Sequence, residues 1–238
     1  MRTIGLIGGM SWHSTASYYR IINEIVADRL GGHASASIAL QSLDFSEVRQ
    51  CQVDGDWAGA GDLLSRAAGH CVAGGADVVA ICTNLMHKVA PAVEASIDVP
   101  LLHIADAVAG VAAPHGWDRL GILGARWVME ESFYGDRLAR HGITAVAPGA
   151  EDRELIDRVV FDELTQGRIL EESRAAYVAV IERLAERGAQ AVVLACTEIG
   201  LLVSAEDSPL PLICSAEAHA HALAEFALSA PVGATSLS

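Results

Sequence analysis

Two potentially reactive side chains, Cys82 and Thr83, stand side by side in the segment GGADVVAICTNLMHK (74–88). The segment begins as an apolar run that is typical of a buried strand and ends in a polar turn. A thiol can be tuned into a thiolate base, whereas a threonine hydroxyl holds a water or relays a proton but is not a practical base at neutral pH. Which of the two side chains faces a cleft therefore decides what chemistry the segment supports.

A second copy of this segment orients the pair. GAQAVVLACTE (188–198) matches GADVVAICTNL, and aligning their glycines places Thr83 on Cys196. Cys82 then falls on Ala195. Because successive side chains of a strand point to opposite faces, Thr83 faces a cleft if Cys196 does, and Cys82 then points into the core. A buried, unreactive thiol is the usual state of a free cysteine.

The repeat extends beyond this segment. Three pairs of segments match in the same order, with offsets of 116, 113 and 111 residues, which indicates two similar halves. The two further pairs are TIGLIGGM (3–10) with RLGILGAR (119–126), and VPLLHIADA (99–107) with LPLICSAEA (210–218).

Amphipathic stretches separate the apolar strands. Residues 12–30 carry apolar side chains at helical spacing, and residues 62–72, 132–140 and 173–187 show a similar pattern. Strands and helices that alternate with right-handed crossovers predict a parallel, doubly wound α/β sheet. The chain is therefore expected to form two similar α/β domains related by pseudo-twofold symmetry, with the active site in the cleft between them.

Composition argues against several classes of protein. A net charge of -14 disfavours a nucleic-acid surface, because phosphate contacts need clustered Lys and Arg. No apolar run reaches the ~20 residues that span a bilayer, and the N-terminus lacks the pattern of a signal peptide. The five cysteines form no CxxC pair, so reduced thiols in the cytoplasm are expected rather than structural zinc or disulfides. No metal site is expected.

The motifs around both candidate positions resemble those of the aspartate/glutamate racemase superfamily. The resemblance runs from residue 2 to about 228. It is closest to the L-specific aspartate/glutamate racemases, in which threonine replaces the first of two catalytic cysteines. The segments that carry it are GLIGGMSWHST (5–15), CQVDG (51–55), CTNLMHK (82–88) and ACTEIG (195–200).

This resemblance implies a cofactor-independent racemase of aspartate and/or glutamate. In such enzymes one thiolate takes the Cα proton, and a group on the opposite face returns a proton. Here Cys196 would be the base and Thr83 its weaker partner, which implies a bias toward the L enantiomer. The scarcity of lysine agrees with cofactor independence, because pyridoxal phosphate needs a Schiff-base lysine and Lys88 is the only one in the chain.

The resemblance also bears on domain limits and assembly. It suggests that the last helix packs back on the first half, and that the protein is a homodimer. The expected first domain is residues 1–98 with 214–228, and the second is residues 99–213. The tail, residues 229–238, is expected to be frayed.

Substrate contacts are implied at the turns that follow the strands. Asn84 and Thr197 follow the two catalytic positions, where helix N-termini present free amides. N-capping is the alternative for both residues, as it is for Ser11 in the first loop. Glu198 either orients the acid/base machinery or stabilises the start of its own helix.

The other substrate-binding candidates depend more heavily on the family. Gln52 matches a family contact position and would otherwise be a solvated loop residue. Thr165 lies where many members place a lysine that binds a side-chain carboxylate, with Arg168 nearby, so the preference for Asp, for Glu or for acidic substrates stays open. The full predicted set of substrate-binding residues is Met10, Ser11, Gln52, Asn84, Leu85, Thr165, Thr197 and Glu198.

Other functions remain open at this stage. Single-cysteine relatives resemble decarboxylases or cis-trans isomerases that protonate an intermediate from one face, and a racemase of cyclic ureides is a third variant. A different class is a small-molecule binder without catalysis, because one acid/base position is threonine. A nucleotide site is disfavoured, since GLIGGM lacks the full G-x-G-x-x-G pattern.

Overall fold

The structure is a computed structural model that describes residues 1–229. The chain divides into two compact units. The first comprises Met1–His103 and the segment from His219 onward, and the second comprises Ile104–Ala218. Across residues 1–229, no helix combines the length and the apolar character that crossing a membrane requires.

The first unit is built on a three-stranded parallel sheet. The continuous apolar runs IGLIG and VVAI are fully buried, as expected for strands covered on both faces. The elements are β1 (Ile4–Gly8), α1 (Trp12–Leu30), β2 (Ile38–Ser42), α2 (Phe45–Asp54), α3 (Trp57–Ala73), β3 (Val78–Ile81), a 3₁₀ helix (Leu85–Val89) and α4 (Ala90–Ala95). The strand order is β2-β1-β3, and Leu101 adds a parallel bridge to Val79.

The second unit contains a four-stranded parallel sheet of order β5-β4-β6-β7. Its β6 run, AVVLA, is fully buried. In chain order its elements are α5 (Ile104–Ala112), a 3₁₀ helix (Ala113–His115), β4 (Arg119–Gly124), α6 (Arg126–Glu130), α7 (Ser132–Ala139), β5 (Thr144–Val146), α8 (Ala150–Asp162), a 3₁₀ helix (Leu164–Gln166), α9 (Glu171–Glu186), β6 (Ala191–Ala195), α10 (Ile199–Leu202), β7 (Leu212–Cys214) and the start of α11 (Ser215–Leu228).

The two sheets repeat the same pairing. Val79 pairs with Leu101 in the first unit, and Val192 pairs with Leu212 in the second. These four residues are equivalent in the internal repeat read from the sequence. The predicted α/β fold with parallel sheets is therefore confirmed, and the repeat holds at the level of strand register.

Domain limits differ from the expected ones by five residues. Residues 99–103 belong to the first unit, because Leu101 pairs with Val79 in its sheet. Residues 214–218 belong to the second unit, where the Ser215 hydroxyl donates to the Leu194 carbonyl at 2.9 Å. In the expected tail, the Ser229 N–H still donates to the Glu225 carbonyl at 2.9 Å, and residues 230–238 lie outside the described part of the chain.

Candidate active site

Cys82 and Thr83 follow β3 and have opposite environments. Cys82 is 1% exposed, its N–H donates to the Ile7 carbonyl at 2.9 Å, and its carbonyl accepts from the Ser14 hydroxyl at 3.2 Å. Burial raises the pKa of the Cys82 thiol well above its ordinary value. Thr83 is half-buried. The adjacent thiol is thus enclosed in the core, while the threonine keeps access to its surroundings, as the repeat predicts.

Thr83 leads into the short 3₁₀ helix. Asn84 is 5% exposed and Leu85 is 7% exposed, so both predicted binding residues are largely enclosed. The Asn84 side chain makes no capping hydrogen bond at the start of this helix, so the N-capping alternative for it is wrong. The imidazole of His87 reaches back to the Thr83 carbonyl, with Nδ1 at 2.8 Å from the oxygen.

The loop after β1 is braced by its own side chains. Gly9 has a positive φ of 92°, and a Cβ there would collide with the Leu43 carbonyl oxygen, so only glycine fits. The Gly9 N–H donates to the Thr15 hydroxyl at 2.8 Å. Ser11 caps α1 by accepting from the Ser14 N–H, which is the alternative weighed for it, and Met10 is 5% exposed. The peptide bond between Met10 and Ser11 is cis.

Gln52 lies on α2 and is 6% exposed, so the solvated-loop alternative for it is wrong. Its Nε2 contacts the Met86 sulfur at 3.2 Å, and its Oε1 accepts from Arg49 Nη1 at 3.2 Å. Arg49 was not predicted from the sequence. The available signal was its position three residues before Gln52, which places both side chains on one helix face.

In the second unit, Cys196 follows β6 at the position equivalent to Thr83, and it is half-buried. Its Sγ donates to Glu198 Oε2 at 3.1 Å, and the Thr197 hydroxyl donates to the same oxygen at 2.7 Å. Neither Thr197 nor Glu198 makes a side-chain capping bond to α10, so the capping alternative for Thr197 is wrong. Together the three side chains form one hydrogen-bonded group.

Electrostatics in this unit keep the Cys196 thiol protonated. Burial raises its pKa well above the ordinary value, and the negative charge of Glu198 raises it further. The charge of Asp157 on α8 adds to this effect. The sequence indicated a thiol that could be tuned into a base, whereas the immediate partner of the thiol is a carboxylate that accepts its S–H hydrogen bond. The Cys196 thiol is thus protonated at rest, and its S–H is directed at a carboxylate oxygen of Glu198.

The remaining predicted substrate contact is Thr165. It is exposed in the 3₁₀ helix after α8, and its hydroxyl donates to the Phe161 carbonyl at 2.7 Å.

Tyr177 on α9 is a neighbour of Cys196 that the sequence did not reveal. Its hydroxyl donates to the Ile156 carbonyl at 3.0 Å, and burial is the main cause that raises the pKa of its phenol.

Side chains that could bind a metal ion were sought in the part of the chain that the structure describes. Within residues 1–229, no group of three or more His, Cys, Asp or Glu side chains could hold an ion. The side chains at the two strand ends are a thiol with a carboxylate in the second unit and a hydroxyl in the first.

Comparisons with known proteins cover both units. The sequence profile of the Asp/Glu/Hydantoin racemase family matches residues 7–223. The structure of a candidate Asp/Glu racemase from Yersinia pestis is 48% identical in sequence, with a TM-score of 0.92 over 96% of this chain and 100% of that one. An aspartate racemase homologue from Pyrococcus horikoshii OT3 is 30% identical, with a TM-score of 0.84 over 96% and 100%. An aspartate racemase from Picrophilus torridus, 20% identical, shares the fold with a TM-score of 0.71 over 95% and 94%.

Proposed function

The chain belongs to the Asp/Glu/Hydantoin racemase family, and we propose that it interconverts the enantiomers of an acidic amino acid without a cofactor. One observation carries the proposal. Thr83 and Cys196 occupy equivalent, half-buried positions at the ends of β3 and β6, and only Cys196 has an ionisable side chain. Racemisation needs two proton-handling groups, because one group reaches only one face of the Cα atom.

Cys196 is proposed as the base. Its thiol proton passes to Glu198, along the hydrogen bond of 3.1 Å, and the thiolate then removes the Cα proton. The ammonium group of a bound amino acid would offset the negative charge that otherwise opposes the thiolate. Glu198 therefore orients and discharges the thiol, which favours the acid/base role over the helix-stabilising role weighed for it.

Thr83 is proposed to serve the opposite face. Its hydroxyl, or a water that it holds, delivers a proton to the carbanion, and the oxyanion left behind is reprotonated from solvent while Glu198 returns its proton there. Asn84 and Thr197 follow the two catalytic residues and would bind the substrate carboxylate, whose oxygens take up charge as the Cα proton leaves. Because a hydroxyl is a poor base at neutral pH, the reaction should start faster from the enantiomer that presents its Cα hydrogen to Cys196, by family resemblance the L form.

The acidic side chain of the substrate is assigned to Arg49. A chain with a net charge of -14 repels an anion, so an anionic substrate needs a local donor. Arg49 is half-buried and is held by Gln52, which is anchored on Met86 three residues beyond Thr83. Guanidinium groups bind carboxylates in bidentate geometry. Thr165, Met10, Ser11 and Leu85 are proposed as further contacts, and the enzyme is expected to be a cytoplasmic homodimer.

A matched pair of cysteine variants tests the proposal. Purified wild type, Cys196→Ala and Cys82→Ala are incubated with each enantiomer of aspartate and glutamate, and both chiral composition and loss of the Cα proton in deuterated water are followed. Cys196→Ala should lose at least about 10³-fold in inversion, because the base is gone. Cys82→Ala removes the thiol next to Thr83 in the first copy of the repeat, and the variant should keep most of the activity. Full activity in Cys196→Ala would disprove the assignment.

Two other outcomes point to the alternative functions. Product from an arylmalonate or from maleate, without any inversion of amino acids, would indicate a single-cysteine decarboxylase or isomerase. Binding of aspartate without exchange of its Cα proton would indicate a non-catalytic binder.

A further inference from the structure

A cluster of buried side chains lies behind Thr83 and takes no part in the proposed chemistry. Its members are the imidazoles of His87, His103 and His219, here called the imidazole cluster, which are 2%, 4% and 0% exposed. The His87 ring lies 4.3 Å from the His103 ring and 5.9 Å from the His219 ring, centroid to centroid. All three belong to the first unit, as does Thr83.

The hydrogen bonds of His219 define a single neutral form of its ring. Its Nε2 lies 2.8 Å from the Leu102 carbonyl oxygen, and because a carbonyl only accepts, Nε2 carries the hydrogen. In the neutral ring its Nδ1, which lies 2.9 Å from the Tyr18 hydroxyl, then accepts that O–H. His219 thus links α1 and α11 to the segment at Leu102, and its ring also packs against His87.

His87 is fixed in the same manner. Its Nδ1 donates to the Thr83 carbonyl at 2.8 Å. The backbone N–H of His87 goes instead to the Asn84 carbonyl at 3.1 Å, in the i→i+3 pattern of a 3₁₀ helix. In an α-helix that N–H would donate to Thr83, four residues earlier. The imidazole therefore supplies to the Thr83 carbonyl the hydrogen bond that a regular helix would have given it.

We propose that His87, held in place by His103 and His219, is a positioning residue that fixes the Thr83 peptide and so aims the Thr83 hydroxyl for proton transfer. Thr83 lies between the end of β3 at Ile81 and the helix that starts at Leu85, so no regular element fixes its backbone. A displacement of about 1 Å at a reacting group can reduce a rate by roughly 10²-fold. This role rests on the proposed function and adds a structural requirement at one of its two proton-transfer groups.

The proposal predicts an effect on one face of the substrate only. Cys196 and Glu198 belong to the second unit, whereas all three histidines of the imidazole cluster belong to the first. Loss of the His87 donor should therefore leave proton removal by Cys196 intact while protonation by Thr83 fails. The measured consequence is that exchange of the Cα proton continues, but inversion of configuration falls.

The test compares His87→Asn with His87→Leu in the full chain. Asparagine places its amide N–H close to where Nδ1 lies, whereas leucine has a similar shape without a donor. Inversion and deuterium uptake are measured in deuterated water, starting from the enantiomer that wild type exchanges faster. His87→Leu should keep exchange within about threefold and lose roughly 10²-fold in inversion. His87→Asn should recover most of the inversion.

Controls separate positioning from a general loss of structure. His221 is exposed on the same helix as His219, and its Asn and Leu variants should match wild type in both rates. If His87→Leu does not fold, His87→Gln replaces it, because glutamine places its amide nearer to Nε2 and cannot serve Thr83.

Three results would overturn the role of His87. These are an equal fall of exchange and inversion, unchanged inversion in the variant without a donor, and no recovery with asparagine. Failure of the proposed function itself would look different, because wild type would then neither exchange nor invert any acidic amino acid.

Discussion

At Cys196 the sulfur, the Thr197 hydroxyl and one carboxylate oxygen of Glu198 share a single set of hydrogen bonds. Both donors point at the same oxygen, so the carboxylate is well placed to receive a proton from either one. Because the thiolate is the reactive form, the raised pKa of the thiol should slow its oxidation and alkylation.

Replacing Glu198 by Gln should make Cys196 more reactive toward iodoacetamide. The negative charge that raises the pKa of the thiol disappears, although burial, the larger cause, remains. The alkylation rate of Cys196 at pH 8 should rise severalfold, measured by peptide mass spectrometry as a function of pH. Glu206→Gln changes an exposed carboxylate of the same unit and is the control. An unchanged rate in Glu198→Gln would show that Glu198 does not govern the thiol.

Replacing Thr83 by Cys should reduce the directional bias proposed for the enzyme. A second thiol can act as a base on the face where the hydroxyl works poorly. Initial deuterium exchange from the slower enantiomer should rise by at least about tenfold, which corresponds to ~1.4 kcal/mol in activation free energy. The readout is the ratio of initial exchange rates from the two enantiomers in wild type and variant. Equal rates from both enantiomers in wild type would remove the one-base interpretation.

Among the elements, the strands were the most predictable part of the molecule. Fully buried parallel strands appear as continuous apolar runs, and the internal repeat supplies a second copy of each alignment. That repeat was sufficient to distinguish Cys82 from Thr83, because alternation along a strand assigns opposite faces to neighbours. The observed burial of Cys82, at 1% exposure, follows directly from this alternation.

The helices supply site residues that the sequence could not reveal. Arg49, Asp157 and Tyr177 come from α2, α8 and α9, and no local pattern links them to the strand ends near which they lie. Helix positions relative to a sheet depend on tertiary packing rather than on short-range spacing. The imidazole cluster escaped prediction for the same reason, since its histidines are separated by up to 132 residues along the chain.

The short elements after Thr83 and Cys196 were also hard to predict. The segment after Thr83 forms a 3₁₀ helix of five residues, Leu85–Val89, and the segment after Cys196 forms a single turn, Ile199–Leu202. Such elements carry no amphipathic pattern long enough to recognise. At Thr83 a side-chain contact, from His87 Nδ1 to the backbone carbonyl, adds to the short helix.

On the scale of the whole molecule, acidic side chains outnumber basic ones, and burial favours the neutral forms of His87, Cys82 and Tyr134. The chain carries 30 acidic and 16 basic side chains, so local cations such as Arg49 matter for an anionic substrate. Inside, burial lowers the pKa of His87 well below its ordinary value, with additional effects from His103 and His219. Because the unfolded chain can protonate His87 more readily than the folded chain, the free energy of unfolding should depend on pH.

The free energy of unfolding should decrease as pH falls below about 6.5, the ordinary pKa of histidine. In the unfolded chain His87 then binds a proton, whereas in the folded chain its lowered pKa keeps it neutral. The unfolded state binds more protons, so stability rises with pH in this range and is lost as pH falls toward the folded pKa. Each such group contributes up to about 1.4 kcal/mol per pH unit.

Urea unfolding at pH 7.5, 6.5 and 5.5 measures this dependence. Wild type should lose stability between pH 6.5 and 5.5, and His87→Asn, which has no titrating ring at this position, should lose about 1 kcal/mol less over the same interval. His221→Asn removes an exposed histidine of α11 and should retain the wild-type slope. If wild type and His87→Asn lose stability in parallel, His87 carries a proton in the folded protein, and the neutral tautomer that holds the Thr83 carbonyl would have to be abandoned.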